Sequence, residues 1–326
     1  MRLLWRGSLL RTVYRFWEKI LLRKLRKNKN WRSFMQQITK NVYTDTTIRG
    51  CNPSIVFTTE GSVFVDTAQI LSKLLEMRTF ALERGPIRYL INTEAHIDHI
   101  FGNHWFANEA ITVGHEKLAD DLWKVPGPLD AYDYSIDVLE RQDKEALDKM
   151  PPRGEYIMME RPDITFTDHM SIKLGDTHFE LYHTPGHSAC QTAVYVPEER
   201  VAILGDTLFV DCQTWLHSAD IDALLKSLDF VDTLDVDYLI PGHGPVVKKD
   251  YVAKQRAFIY EWLGAVSAGI SKGWSVDECV ANISFADRCP MDIGQPEMME
   301  YVQVNNVIKC YNYLMGTNHP LRLGAN

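Results

Sequence analysis

From Ile38 onward the sequence alternates short β-rich runs with amphipathic helices, and this alternation restricts the chain to a layered α/β fold. Ser54–Phe57 and Ser62–Asp66 are rich in β-forming residues, and the Thr-Thr-Glu-Gly between them predicts a hairpin. Residues 69–84 then carry apolar side chains at helical spacing, and Ile87–Asn92 is the next strand. Two such strand-rich halves, each followed by helices, predict two sheets packed face to face with helices outside.

The same pattern divides the chain into three predicted parts. Residues 35–250 form the predicted catalytic domain, which carries a charged, mostly helical insertion at about 116–150. Residues 251–326 form a helical C-terminal extension packed on that domain, and residues 1–34 precede it. Further strands are predicted at Ala110–Val113, Met170–Leu174, Phe179–His183, Thr192–Val196, Val201–Leu204 and Val236–Ile240, and further helices at 221–234, 250–271, 275–283 and 296–314.

Residues 1–34 are a basic amphipathic extension. They hold eleven Lys or Arg and one acid, a net charge of +10, which leaves −18 on the remainder of a chain whose total is −8. Such a segment can lie on an anionic membrane surface or act as a targeting peptide. It can equally be a gene-model artefact ahead of a start at Met35. Charges interrupt its apolar runs too often for a membrane span.

The composition of the chain after residue 34 limits the kinds of molecule that it can bind. Its acidic balance argues against a nucleic-acid substrate, since nucleic-acid binding relies on a basic surface. The six cysteines are scattered with no C-x-x-C pair, which indicates reduced thiols in an intracellular protein. We therefore expect a cytoplasmic protein that acts on a small molecule, with the C-terminal helices covering one side of its pocket or forming a homodimer surface.

Four clusters of ligand-type residues stand where predicted strands end. Glu94, His96 and Asp98 alternate along one extended segment, so their side chains point the same way. His99 enters from the following turn, and imidazole together with carboxylate suits Zn, Mn or Fe better than Mg or Ca. The clusters are Asn92–His99, Thr184–His187, Gly205–Thr207 and Pro241–Pro245.

In their order, these clusters resemble the metallo-β-lactamase superfamily, whose first motif is H-x-H-x-D-H, over roughly residues 38–250. Val63–Asp66 is similar to its early strand ending in a structural aspartate. The resemblance implies a four-layer αβ/βα sandwich and two divalent metal ions. It implies Asp66 as a residue that orients a ligand, and Asp98 as the catalytic residue that orients a metal-bridging hydroxide and passes on its proton. The implied ligands are Glu94, His96 and His187 for the first ion, Asp98, His99 and His243 for the second, and Asp206 as the bridge.

One position departs from the family pattern, because Glu94 stands where the family has its first histidine. Zn is our first assignment for the metal. Fe or Mn are alternatives, because the extra carboxylate makes the first site a harder set of ligands. Two other interpretations stay open. Glu94 can act as a base beside a weakly filled site, or the centre can be mononuclear at Asp98, His99 and His243.

The resemblance implies a binuclear, lactonase-like metallohydrolase that cleaves an ester, thioester, lactone or amide-type bond. The alternative is an iron-dependent oxidative enzyme, dioxygenase-like or diiron, which the family also contains. We expect weak or no β-lactamase activity, because the N-terminus lacks the apolar core of an export signal. The metal that copurifies separates the two readings, since two Zn favours hydrolysis and Fe with oxygen uptake favours oxidation.

The other histidines and large aromatics carry weaker expectations. His104 and His115 are near the first motif, but packing is favoured over ligation, and His183 is expected in the core or behind a ligand. The remaining histidines are expected in loops or at the surface: His169, His178, His217 and His319. Four aromatics are either substrate walls or, preferably, plain core: Trp105, Phe106, Trp123 and Trp215.

Overall fold

The computed structural model describes residues 35–47, 50–120, 130–156, 161–288 and 298–322. The predicted extension at 1–34, Cys289 and residues 121–129 of the predicted insertion, which include Trp123, lie outside these residues. Within them, no helix combines the length and the apolar character that are needed to cross a membrane.

The first sheet has seven strands that lie side by side in chain order. The first four are antiparallel, and the hairpin predicted around Thr-Thr-Glu-Gly pairs Thr58 with Gly61. The last four are parallel, so their carboxyl ends share one edge of the sheet. The strands are β1 (Gln36–Gln37), β2 (Val42–Thr44), β3 (Ser54–Thr58), β4 (Gly61–Val65), β5 (Ile87–Ile91), β6 (Ile111–His115) and β7 (Ile164–Phe166).

The second sheet has five strands in the spatial order β12-β11-β10-β9-β8. Its strands are β8 (His169–Leu174), β9 (Thr177–His183), β10 (Thr192–Val196), β11 (Val201–Ile203) and β12 (Tyr238–Ile240). Neighbours are antiparallel except β11 and β12, which run parallel and therefore end at the same edge.

The two sheets pack face to face through aliphatic side chains. Val63, Val65 and Ile91 of the first sheet share one buried cluster with Val194 and Ile203 of the second. Burial of such branched side chains contributes roughly 1.5–3 kcal/mol each. This inter-sheet layer fixes the position of one sheet against the other, and with it the loops that leave their shared edge.

Helices cover the outer face of each sheet. Helix α1 (Leu71–Leu82) packs on the first sheet through Leu74, Met77 and Phe80. The other helices are α2 (Ile97–Ile100), α3 (Ala131–Gln142), α4 (Ile221–Thr233), α5 (Tyr251–Ser271), α6 (Val276–Asn282) and α7 (Met299–Met315). Helices α4, α5 and α7 share the core cluster on the second sheet. The predicted α/β sandwich with C-terminal helices is therefore confirmed.

The C-terminal helix α7 is tied to the loop that follows β11. The side-chain amide of Asn306 donates to the carbonyl of Thr214 at 2.7 Å, and its oxygen accepts from the amide of Leu216 at 2.9 Å. Asn306 is fully buried, so both bonds are shielded from water. Helix α7 thereby holds a segment that borders the predicted ligand His187.

Candidate metal centre

The seven predicted ligands lie in segments that directly follow strands, at the edge that the two sheets share. Strand β5 ends at Ile91 and leads into Glu94 and His96, and α2 carries Asp98 and His99. The three others follow strands of the second sheet: His187 after β9, Asp206 after β11 and His243 after β12. Loops at the carboxyl ends of strands commonly carry functional groups, because the sheets beneath them are rigid.

One group of ligand atoms comes from both sheets. Atoms of Glu94, His96, His187 and Asp206 all lie within 4.8 Å of one another. Nδ1 of His96 is 2.6 Å from Oε2 of Glu94 and 3.1 Å from Nε2 of His187. Nε2 of His187 is 3.3 Å from Oδ2 of Asp206. This is the set that the sequence assigned to the first ion together with the bridge.

A second group lies beside the first. Ligand atoms of Asp98, His99 and His243 also fall within 4.8 Å of one another, and Nε2 of His243 is 3.4 Å from Oδ2 of Asp98. Asp206 faces this group with its other oxygen, since Oδ1 is 3.2 Å from Nε2 of His99 and 3.3 Å from Nε2 of His243. The two oxygens of Asp206 therefore face different groups, as a bridging carboxylate requires.

The histidine rings are fixed by hydrogen bonds at their outward nitrogens. Nδ1 of His187 lies 3.1 Å from the carbonyl of Trp215, and Nδ1 of His243 lies 3.1 Å from the carbonyl of Gly50. Nδ1 of His99 lies 2.9 Å from Oδ2 of Asp66. Each contact leaves Nε2 turned into the cluster with its lone pair available, which is the usual arrangement of metal-binding imidazoles.

Asp66 lies behind the cluster rather than in its centre. Its carboxylate accepts hydrogen bonds from the amide of Thr93 at 2.7 Å and from the hydroxyl of Thr93 at 2.6 Å, besides its contact with His99. Its φ is +60°, a left-handed conformation that turns the chain sharply after β4. Burial raises the pKa of Asp66, and its contacts with His99 and Thr93 partly offset that effect.

Electrostatics in the cluster are dominated by the carboxylates. Burial alone would raise the pKa of Asp206, but His243, His99 and His187 around it hold that pKa well below its usual range. Burial opposes protonation of His96, but Glu94, with Asp98 and Asp206, raises the pKa of His96 to about 9. The carboxylates thus attract positive charge into this space, whether as protons or as cations.

A divalent cation fits these residues because several buried atoms lack hydrogen-bond partners. Among the described residues, only imidazoles of the cluster itself approach Oε1 and Oε2 of Glu94 and Oδ1 of Asp206, and Nε2 of His99 likewise faces only carboxylates of the cluster. Leaving a buried charged group without a partner costs several kcal/mol. Four such atoms that face one another fit the donor set of a metal centre better than a packed core.

The other histidines and aromatics near the first motif lie outside the two groups of candidate ligands. His115 stacks on His183 with ring centroids 3.8 Å apart, and His104 packs on Trp105 and Tyr156, so neither His115 nor His104 joins the ligand groups. Trp105 and Phe106 are buried in the core around α1, as the core interpretation holds. These aromatics therefore do not form the walls of the cluster.

Other residues around the cluster were not identified from the sequence. The ring of Phe209 stacks on His243 at 5.3 Å and lies 5.5 Å from His187. Its only signal was its position just after the Gly205–Thr207 motif. His217, predicted in a loop or at the surface, lies in a loop but is partly buried. Burial, then the neighbouring His187 and His96, lower the pKa of His217 to about 3.

Comparisons with known proteins show the family of the chain. A family model described as the Metallo-beta-lactamase superfamily matches residues 46–243, which is more than half of the chain. A protein named "Beta-lactamase-like protein 2 homolog" from Caenorhabditis elegans is 23% identical over 205 residues, which are 62% of this chain and 59% of that protein. The chain thus spans about three fifths of this relative's length.

Two further similarities are more limited. A protein named "Hydroxyacylglutathione hydrolase" from Francisella tularensis subsp. novicida is 38% identical over 79 residues, which are 24% of this chain and 31% of that protein. The solved structure of the inverting sec-alkylsulfatase Pisa1 from Pseudomonas sp. superposes with a TM-score of 0.58 at 16% identity. It covers 86% of this chain and 50% of the sulfatase, and at that identity it shows the fold alone.

Proposed function

The chain belongs to the metallo-β-lactamase superfamily, and we propose that it is a binuclear metallohydrolase that cleaves an ester, thioester, lactone or amide-type bond in a small molecule. The observation that carries this proposal is the double group of ligand atoms around Asp206. The similarity to a protein named as a hydrolase of an acyl compound supports the choice of an acyl bond. Fold alone would not support it, since one fold hosts many activities.

The charge of the ligand set bears on the metal. Glu94, Asp98 and Asp206 together carry −3 when ionised, whereas a histidine at position 94 would leave −2. The −3 set offsets most of the +4 of two divalent cations, and its additional carboxylate suits Fe or Mn better than an all-imidazole first site does. Four imidazoles remain in the set, so Zn is still our first assignment.

The chain's own residues supply orientation and proton transfer. Two divalent ions, when bound, polarise a scissile carbonyl and lower the pKa of a shared water. The Asp98 side chain is 14% exposed, against 0% for Glu94 and 5% for Asp206. It is the most accessible of the three carboxylates, so it is placed to take a proton from water and pass it to the leaving group. The His96 side chain is 37% exposed and marks the side from which a substrate approaches.

The second candidate is an iron-dependent oxidative enzyme on the same fold. It is favoured by one observation, the fully buried Glu94 carboxylate, whose oxygens face only imidazoles of the cluster among the described residues. Carboxylate-rich sites with histidines suit iron, and open positions on iron support oxygen chemistry. Metal content together with oxygen consumption distinguishes it from hydrolysis.

The test begins with the full chain purified without added metal. Its metal content is measured by mass spectrometry, and it is assayed against lactones, thioesters and phosphoesters and for oxygen uptake. We expect two Zn per chain and hydrolysis of an acyl substrate. Iron with oxygen uptake and no hydrolysis would support the second candidate, and a single ion would support the mononuclear reading.

A pair of histidine variants provides the control. His243→Ala removes a predicted ligand of the second ion, so we expect it to lose about one metal equivalent and most of the activity. His178→Ala removes an exposed histidine whose Nδ1 is 2.6 Å from Oε1 of Glu198 on another face, and it should change neither. Equal metal content in both variants would remove His243 from the centre, and a wild-type chain that binds no divalent ion would overturn both candidate functions.

A further inference from the structure

The two carboxylate oxygens of Glu94 face different ligand groups. Oε2 is 2.6 Å from Nδ1 of His96 and 3.8 Å from Nε2 of His187, which belong to the first group. Oε1 is 3.3 Å from Nε2 of His99, which belongs to the second group. A residue that served the first ion alone would have no reason to place an oxygen against His99.

Asp206 divides its oxygens between the groups in the same way. Oδ2 lies 3.3 Å from Nε2 of His187, and Oδ1 lies 3.2 Å from Nε2 of His99. Nε2 of His99 is thus almost equally far from one oxygen of Glu94 and one oxygen of Asp206. An imidazole at position 94 could not reproduce this arrangement, because it has one free nitrogen once the other is hydrogen-bonded.

Within the described part of the chain, the Glu94 oxygens contact only imidazoles of the cluster. The side chain is 0% exposed, with Oε2 2.6 Å from Nδ1 of His96 and Oε1 3.3 Å from Nε2 of His99. The nearby carboxylate of Asp66 differs in this respect, since Thr93 and His99 occupy both of its oxygens. Both oxygens of Glu94 therefore face only candidate ligands, whereas both oxygens of Asp66 accept hydrogen bonds from Thr93.

We propose that Glu94 is a second bridging carboxylate, so that each of the two cations contacts one oxygen of Glu94 and one oxygen of Asp206. This inference rests on the proposed function in one respect, namely that the centre holds two ions. Two bridging carboxylates place more oxygen around each ion than a single bridge does, which moves the preference of both positions towards Mn or Fe relative to a centre with one bridge. Glu94 then sets the affinity of the second ion as well as that of the first.

The decisive experiment measures one ion at a time. The double variant His96→Ala/His187→Ala removes both imidazoles of the first group and leaves Asp98, His99 and His243 to hold a single ion. Glu94→Gln is then added, and the dissociation constants for Zn²⁺ and Mn²⁺ are measured by competition with a chelator. Glu198→Gln, which alters an exposed glutamate paired with His178, is the matched control in the same background.

We expect Glu94→Gln to weaken binding of the remaining ion by at least about tenfold, since changing a residue that only orients a ligand already costs about 10–100-fold and loss of a carboxylate that contacts the ion should cost no less. The Glu198→Gln control should change it less than about twofold. Less than a twofold change with Glu94→Gln as well would overturn the bridge while leaving a two-ion hydrolase intact. A wild-type chain that binds no ion would instead refute the proposed function.

A second measurement covers the case in which the double variant does not fold. The wild-type chain and Glu94→His are loaded with two Mn²⁺ each, and the magnetic coupling between the ions is measured by electron paramagnetic resonance. We expect weaker coupling in Glu94→His, because one of two bridges is lost while Asp206 remains. Unchanged coupling with two ions bound would show that Asp206 alone connects them.

Discussion

Gly242 lies where two ligand loops touch, and a single methyl group there should dismantle the centre. A Cβ added at Gly242 would lie 1.9 Å from Oδ1 of Asp206, 2.7 Å from the carbonyl carbon of Gly205 and 2.9 Å from the amide nitrogen of Asp206. The φ of Gly242 is not positive, so crowding rather than backbone strain is the problem. Two of the three contacts are with backbone, which cannot rotate away as a long side chain could.

The size of the effect follows from these distances. Carbon and oxygen atoms in ordinary contact are roughly 3.4 Å apart, so Oδ1 of Asp206 must move by about 1.5 Å. A metal–oxygen bond is about 2.0–2.2 Å long, and a movement of this size takes the oxygen out of reach of an ion. We expect Gly242→Ala to lose at least one metal equivalent, to lose activity by at least about 100-fold and to be destabilised by about 1–3 kcal/mol.

Metal content, activity and urea denaturation of Gly242→Ala check these values together. The matched control is Gly264→Ala in helix α5, where an added Cβ would meet nothing within 4 Å. Alanine in a helix is favoured over glycine, so this control should be stabilised by about 0.5–1 kcal/mol with full metal content. If Gly242→Ala keeps both metals and more than half of its activity, the reasoning from close packing is wrong.

Three further results are expected. Asp66→Asn should keep the fold but weaken metal binding by about 10–100-fold, because the amide no longer holds His99 as a carboxylate does; an unchanged dissociation constant would contradict this. Ser275→Ala removes the capping box that Ser275 forms with Glu278 at the start of α6, and urea denaturation should show a loss of about 1 kcal/mol with no change in metal content. The pKa of His217 is about 3 in the folded chain, below its value in the unfolded chain. The neutral His217 therefore contributes fully to the free energy of unfolding above about pH 6.5, and this contribution is lost as the pH falls towards 3. Between pH 7 and pH 5, the free energy of unfolding of the wild type should therefore fall by up to about 2 kcal/mol more than that of His217→Gln. Equal falls in urea denaturation would refute this role of His217.

The fold and the convergence of the candidate ligands were within reach of the sequence. The strand at Thr192–Val196 and the helix from Ile221 have long, regular hydrophobic patterns, and the structure places them at nearly the predicted bounds. The ligand clusters were visible because each follows a strand directly, and three of the four contain glycine or proline. Gly186, for example, has a φ of +157° and leaves no room for a Cβ beside Leu224, which is why glycine precedes His187.

Other features left no pattern in the sequence. Strands β1, β2 and β7 were not predicted, because they have only two or three residues each and, unlike the equally short β11 and β12, no ligand cluster follows them. The carbonyls of Gly50 and Trp215 fix two histidine rings, but any residue supplies a carbonyl and only the tertiary fold selects which one. The division of the Glu94 oxygens between the two ligand groups is a matter of fractions of an ångström, which residue types alone do not encode.

The ligands come from both sheets, so an ion bound among them would cross-link the two sheets, and a chelator could remove that cross-link. The first ion would join His96 to His187 across roughly 90 residues of chain, and closing a loop of that length restricts the unfolded chain by about 4–5 kcal/mol in the entropic description used for disulfides. Chelation would then do more than stop chemistry. It would allow the two sheets to separate where their ligand loops meet. Resistance to proteases would then rise and fall with the supply of metal in the cell.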